Sequence, residues 1–372
     1  MKGLIYAITL CFAICCLALP SSWAAPPTDA AWEKKWNTTL AEAKKEGTVS
    51  VYTSWGAAGR VAVTKAFKDK YGINLEFTNF GRGALFIAKY QAEMNAGINM
   101  ADVFCVGAST LLVMAKPAGF MGQIEPYLIL PEVVDPKAWR GGSFFLDKDK
   151  QAIKMAGNTM RFVGVNTNMI KRGEITSYKD ILKPQYRGKV TLNDPSIQGA
   201  GIGLFGHLAL HIWTQEEASE YMRQLLKNDT QVMRDQRLQG EWLVRGRSSI
   251  ALALDANGFN ELIGAEAPIE PVVMKEGTYI STSDSALAVP KVSPHPNATK
   301  VFLNWLLSNE GQRVYSGPSG AMSLRGDVPP TGINPGFIPG PTEKTFTDTE
   351  EYILKRGTLL DVTKKIFTQS AK

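Results

Sequence analysis

Two series of short apolar strands, each alternating with helices of about ten residues, constrain the fold of this chain more than any single motif. The first series runs Thr48–Tyr52 (strand), Arg60–Tyr71 (helix), Asn74–Thr78 (strand), Ala84–Asn95 (helix) and Asp102–Val106 (strand). The second reads Val190–Leu192 (strand), Gly203–Trp213 and Glu216–Lys227 (helices), Gln231–Met233 (strand), Glu241–Arg245 (helix) and Ser249–Leu254 (strand). Such alternation builds βαβ units on a parallel sheet. Between the series lies Met160–Asn168, strand-like at Arg161–Val165, and Thr282–Val289 runs the other way. These read as two crossings between lobes. Lobe one is then residues 26–160 with 283–372, and lobe two is residues 161–282. A chain that leaves one α/β lobe, builds a second and returns has a hinge and a cleft. The Pro/Gly-rich stretch Asp327–Pro341 reads as an extended strap, and Thr349–Thr368 as a closing helix.

The first 25 residues read as an export signal. Lys2 supplies a positive start, Leu4–Leu19 an uncharged apolar core, and Ser21–Ala25 a small-residue cleavage site after Ala24 or Ala25. The apolar run is short of the ~20 residues a spanning helix needs. Cys15 and Cys16 raise lipidation, but Ile14 stands where a small residue is wanted. Removing this segment leaves one of four cysteines, Cys105, and a net charge of about +5 (the full chain's +6 less Lys2). The mature protein is therefore periplasmic and held by its core without an intrachain disulfide. The charge is mild and dispersed, which speaks against nucleic-acid binding.

The stretch Tyr279–Gly320 carries the family signal. An apolar strand, Ser285–Val289, is closed by Pro290; a Pro-rich turn follows, then from Asn297 a helix with Val301, Phe302, Trp305 and Leu306 on one face. The order A-V-P-K, P-H-P-N-A, F-L-x-W-L-L-S-x-E-G-Q resembles bacterial extracellular solute-binding proteins of family 1, which include ferric-ion binders. The resemblance implies a two-lobed periplasmic-binding (type II) α/β fold closing at a hinge. It also implies a monomeric, non-enzymatic receptor without a cofactor, which hands a small-molecule or ion ligand to an inner-membrane ABC permease.

In open α/β sheets ligands gather at strand carboxyl ends and helix N-termini. Five segments fall there: Thr53–Ala57 with Ser54 and Trp55, Asn79–Gly83 with Arg82 and Gly83, Gly107–Thr110 with Ser109, Asn193–Ala200, and Asp255–Gly258 with Asp255 and Asn257. In Asn193–Ala200, Asp194, Ser196, Gln198, Gly199 and Ala200 are the candidates, an anion cradle or simply a capped turn. Arg82 is either a charge-assisted partner for a carboxylate or phosphonate or a solvated loop arginine. Trp55 either stacks on ligand or packs. Ferric-ion binders of the family are expected to carry adjacent tyrosines after the strand ending here at Leu254. This sequence has Asp255-Ala256-Asn257-Gly258-Phe259 instead, and no adjacent tyrosines anywhere. A small anion is thus the expected ligand, with ferric ion or a ferric chelate as the alternative.

Three patterns point elsewhere and fail on context. Gly201-Ile202-Gly203-Leu204-Phe205-Gly206 matches G-x-G-x-x-G, yet a whole loop separates it from its strand, so close packing at a helix start is the better reading. His207 and His211 share a helix face at metal-binding spacing, but Leu208 stands where a zinc protease needs Glu. A buried or half-buried histidine face is expected. Gly317-Pro318-Ser319-Gly320 lacks the spacing of a nucleophile elbow. An exported α/β hydrolase is the remaining rival, poorly supplied with general bases by only three histidines.

Overall fold

The computed structural model describes residues 30–254, 259, 262, 263, 266–282 and 284–369. Its strands are β1 (Thr48–Thr53), β2 (Asn74–Asn79), β3 (Val103–Val106), β4 (Ala152–Lys154), β5 (Ala156–Met160), β6 (Val163–Asn166) and β7 (Val190–Asn193). They continue as β8 (Gln231–Met233), β9 (Ile250–Leu252), β10 (Ile269–Pro271), β11 (Thr278–Ser281), β12 (Ala286–Ala288), β13 (Met322–Ser323) and β14 (Thr345–Thr347). The longer helices are α1 (Ala30–Glu46), α2 (Ala57–Tyr71), α3 (Gly83–Asn95), α4 (Ala200–His207), α5 (Gln215–Lys227), α6 (Gln236–Val244), α7 (Pro296–Leu307), α8 (Asn309–Ser319) and α9 (Glu350–Gln369).

Two five-stranded sheets share one plan. The first has the order β2-β1-β3-β12-β4 and the second β10-β6-β9-β7-β8. In each, three neighbouring strands are parallel: β2, β1 and β3 in one, β8, β7 and β9 in the other. The other two strands of each sheet run antiparallel to their neighbours. The all-parallel expectation is corrected to this mixed arrangement. Local patterning reveals a strand but not its direction, because the same apolar run serves either ladder.

A smaller sheet, β13-β5-β11-β14, joins the two. Its centre is the antiparallel pair β5 and β11, with Tyr279 opposite Met160 and Ser281 opposite Asn158. The crossings therefore fall a few residues earlier than Arg161–Val165 and Thr282–Val289. Those segments instead contribute β6 and β12, inner strands of the two large sheets. The apolar run Ala152–Asn166 contains three strands with short breaks, and burial on all sides hides the boundaries from periodicity. The fold is a two-lobed type II periplasmic-binding architecture with its hinge at this third sheet.

The family-like stretch is a packing device. Val301, Phe302, Trp305 and Leu306 of α7 are fully buried, as their spacing required. Ser308 then caps α8, accepting from the Gly311 amide at 3.2 Å. A Cβ on Gly311 would lie 1.9 Å from the Trp305 carbonyl oxygen, so only glycine lets α8 turn this tightly off α7. Asn304 Oδ1 accepts from the amides of Ile129 and Leu130, each at 2.8 Å. Cys105 is buried in β3, and burial pushes its thiol up. Among the described residues, no helix is long and apolar enough to cross a membrane.

Candidate functional site

Three helices that follow parallel strands, α2, α3 and α4, differ at their N-cap residues from α5, α6 and α8, although α6 too follows such a strand, β8. Structural helices carry side-chain caps: Thr214 on α5, Asp235 on α6 and Ser308 on α8, while Glu46 accepts from the Ala298 amide of α7 at 2.7 Å. The N-cap residues of α2, α3 and α4 are Gly56, Arg82 and Gly199, none of which supplies a side-chain acceptor. Their first turns contain no acidic residue. Free N–H groups and the positive end of the helix dipole are thereby left unneutralised at α2 and α3, whereas at α4 the Asn193 side chain accepts from the Gly201 amide.

In the first lobe, Ser54 Oγ donates to Asp284 Oδ1 at 3.0 Å. Trp55 is buried, with its Nε1 on the Asp284 carbonyl at 3.1 Å and its ring 4.5 Å from that of Tyr315. The indole packs in the core. Arg82 is exposed, in extended backbone just ahead of α3, and its side chain has no partner among the described residues. A Cβ on Gly83 would sit 2.2 Å from Thr110 Oγ1, so glycine is what lets the start of α3 press against that turn. Ser109 Oγ accepts from Arg356 Nη2 at 2.8 Å. Pattern reading missed Arg60 in the first turn of α2, whose buried Nε has no partner among the described residues.

In the second lobe, Asp194 Oδ1 accepts from the amide of Ser196 at 2.8 Å and from its hydroxyl at 2.6 Å, and Oδ2 accepts from Arg234 Nε at 2.9 Å. Burial alone would raise this carboxyl, but these donors hold it below the usual carboxylate range. Asp194 and Ser196 thus satisfy each other within the turn. Gly199 sits at φ 154°, ψ −161°, a region that glycine occupies freely. The amides of Gln198 and Gly199 have no acceptor among the described residues, whereas the Gly201 amide donates to Asn193 Oδ1 at 3.0 Å. Ala200 is buried and Gln198 exposed. Asp255 and Asn257 lie outside the described residues.

His207 and His211 face the hinge. His207 is fully buried and its Nε2 lies 3.2 Å from the Gly277 carbonyl, so that nitrogen carries the proton. The two Nδ1 atoms are 3.1 Å apart, which suits one neutral ring donating to another. His211 stacks on Tyr352 at 4.2 Å and on Phe346 at 4.8 Å. Burial lowers the pKa of His207 to about 3 and of His211 to about 4, from an ordinary 6.5. The unfolded chain therefore takes up protons first on acidification. Stability should be full above pH 6.5 and fall progressively towards pH 4. Urea unfolding across that window should show a steep acid limb, made shallower by H211F. An identical limb in both proteins would refute the assignment.

Another titratable cluster outside the strand ends is Asp147, Asp149 and Glu350. Lys116 Nζ lies 2.7 to 2.8 Å from all three, so an ammonium already fills the place of a cation.

These features define a binding protein: two α/β lobes joined by a hinge, with the uncapped starts of α2 and α3 at strand ends of the first sheet. Residues 62–333 match the family of bacterial extracellular solute-binding proteins. The chain belongs to that family. Among solved structures, a putative extracellular solute-binding protein from Bordetella parapertussis superposes with a TM-score of 0.70 at 13% identity, covering 88% of this chain and 100% of that one. Ferric iron-binding protein A of Mannheimia haemolytica, in an open conformation, gives 0.66 at 18% identity, covering 87% and 98%. The periplasmic binding protein AfuA of Actinobacillus pleuropneumoniae, with exogenous fructose-6-phosphate bound, gives 0.58 at 20% identity, covering 85% and 97%.

Proposed function

We propose that this protein captures a small anion, a carboxylate or phosphonate, in the cleft between residues 26–160 with 283–372 and residues 161–282, and hands it to an inner-membrane ABC permease. The observation carrying this reading is the contrast between side-chain-capped helices and the uncapped starts of α2 and α3, with Arg82 unpaired beside α3 and the Gln198 and Gly199 amides without acceptors ahead of α4 among the described residues. An anion would satisfy those amides and the guanidinium together. Ligand would then draw the lobes closed by fitting the closed form better. Export to the periplasm as a monomer, after cleavage near Ala24 or Ala25, completes this reading.

Capture of ferric ion or a ferric chelate is the second reading. It draws on the likeness to a ferric iron-binding protein, while the sugar-phosphate-bound relative favours the first. Thermal unfolding of the chain from Pro26 against carboxylates, phosphonates, phosphate, polyamines and free or chelated ferric iron separates them. A ligand at a hundred times its dissociation constant adds about 2.7 kcal/mol. We expect stabilisation by one anionic class, weakened about 10- to 100-fold in affinity by R82A, as for a lost charge-assisted hydrogen bond. Stabilisation by ferric iron alone would replace the ligand class. An anion response untouched by R82A would remove Arg82 from the site.

A further inference from the structure

Helix α9 begins against one lobe and ends against the other. At its start the Glu350 amide donates to the Leu146 carbonyl at 3.1 Å. The Glu350 carboxylate accepts from Lys116 Nζ at 2.7 Å and the Lys148 amide at 3.1 Å. All three partners belong to the lobe of the first sheet. Two turns on, Arg356 lies along α4 of the second lobe, where a Cβ on Gly206 would be 3.2 Å from its Cγ. Its Nη2 turns back to Ser109 Oγ in the first lobe at 2.8 Å. Further along, the fully buried Thr363 donates its hydroxyl to the Pro195 carbonyl at 2.7 Å, and Ile366 packs with α5 of the second lobe. At 1.5 Å per residue the helix is about 30 Å long, enough to span the junction.

The two loops it holds are the ones the cleft reading needs. Ser109 ends the turn after β3, and Pro195 lies in the Asn193–Ala200 loop between β7 and α4. They stand 86 positions apart in sequence (195 less 109), and both are fixed by one rigid helix. We propose that α9 is a strut that positions both halves of the ligand site, Arg356 through Ser109 and Thr363 through Pro195. The proposal rests on the anion-cleft reading for where the ligand sits, but not for the strut itself. A helix does not stretch, so the separation of the two loops is set by the contacts at its ends. Cutting the Thr363 contact loosens that separation without touching a ligand group, and cutting the Arg356 contact frees the Ser109 loop while the Glu350 contacts still hold the start of the helix.

The test pairs spin labels on V292C in the first lobe and M169C in the second, at exposed positions at the opposite ends of the sheets from the strand-end loops. Cys105 is buried and stays unlabelled. T363V keeps the branched shape and removes only the hydroxyl, and R356A removes the Ser109 contact. In ligand-free protein each variant should broaden the inter-lobe distance distribution and move it outward, and T363S, which keeps the hydroxyl, should restore it. Whichever anionic probe stabilises the parent chain should bind T363V about fivefold or more weakly, although Thr363 does not touch it. Unchanged distances in both T363V and R356A would overturn the strut. If no anion stabilises the parent chain, the cleft reading fails, while the distance measurement still decides on the strut. Should R356A not fold, T363V against T363S decides alone.

Discussion

Replacing Glu343 with alanine is expected to destabilise the folded chain by about 3–5 kcal/mol, the cost of leaving a buried charge without its partner. Arg161 leaves the hinge strand β5 with its side chain 2% exposed. Its guanidinium meets Glu343 through both Nη atoms, Nη2 to Oε2 at 3.1 Å. It also donates from Nε to the Gly336 carbonyl at 3.0 Å and from Nη1 to Thr278 Oγ1 at 2.6 Å. The strap is thereby pinned to the hinge sheet by one arginine. Burial alone would raise the Glu343 carboxyl, yet Arg161 and Thr278 hold it below the ordinary range. Its stabilisation is therefore present at neutral pH and lost as pH falls through that lowered value. Equilibrium urea unfolding at pH 7 checks the magnitude. A loss below about 1 kcal/mol would mean that solvent reaches the guanidinium and that the pair behaves as a surface ion pair.

G201A and G203A should part company, although both glycines belong to one G-x-G-x-x-G match. A Cβ on Gly201 would lie 2.2 Å from the Asn193 carbonyl oxygen and 2.8 Å from the Asp194 carbonyl carbon. Both are backbone atoms, so α4 must move away from the loop it caps. Overpacking of that kind costs about 1–3 kcal/mol. The displacement also breaks the 3.0 Å bond from the Gly201 amide to Asn193 Oδ1 and disturbs the unpaired amides of Gln198 and Gly199. Any anion bound there should lose at least about tenfold in affinity, as for a lost charge-assisted hydrogen bond. A Cβ on Gly203 meets nothing closer than Phe162 at 3.6 Å. G203A should be neutral or gain up to about 1 kcal/mol from helix propensity. Parallel melts and titrations of the two proteins test this, and equal behaviour would dispose of the close-packing account.

Much of this was legible in the order of residues. The α7 face of Val301, Phe302, Trp305 and Leu306 buries as its spacing demanded, and the closing helix lies where its pattern placed it. The histidine face is buried at His207 and half-buried at His211, as the apolar helix around it implied. Four of the five strand-end loops also stand where alternating strands and helices put them, the fifth lying outside the described residues, because chain direction and strand order follow from short connections. Other features were not legible. Trp55 offers the same indole to a ligand or a core, and only the approach of Tyr315 and the Asp284 carbonyl shows that it packs. Arg356 carries no local mark of its role, since its partner Ser109 is 247 residues away. Gly199 and Gly201 look alike in sequence, yet one is fixed by its backbone angles and the other by a neighbouring carbonyl.

The sequence by itself determined two α/β lobes, the return of the chain through a hinge, and membership of a solute-binding family. These depend on local periodicity, turn chemistry and short connections. Only the tertiary structure decided which strands run antiparallel, where the crossings fall, which helix starts stay uncapped and which helix ties the lobes together. Each of those is a contact between residues far apart in the chain, set by how whole layers pack rather than by any neighbourhood of residues.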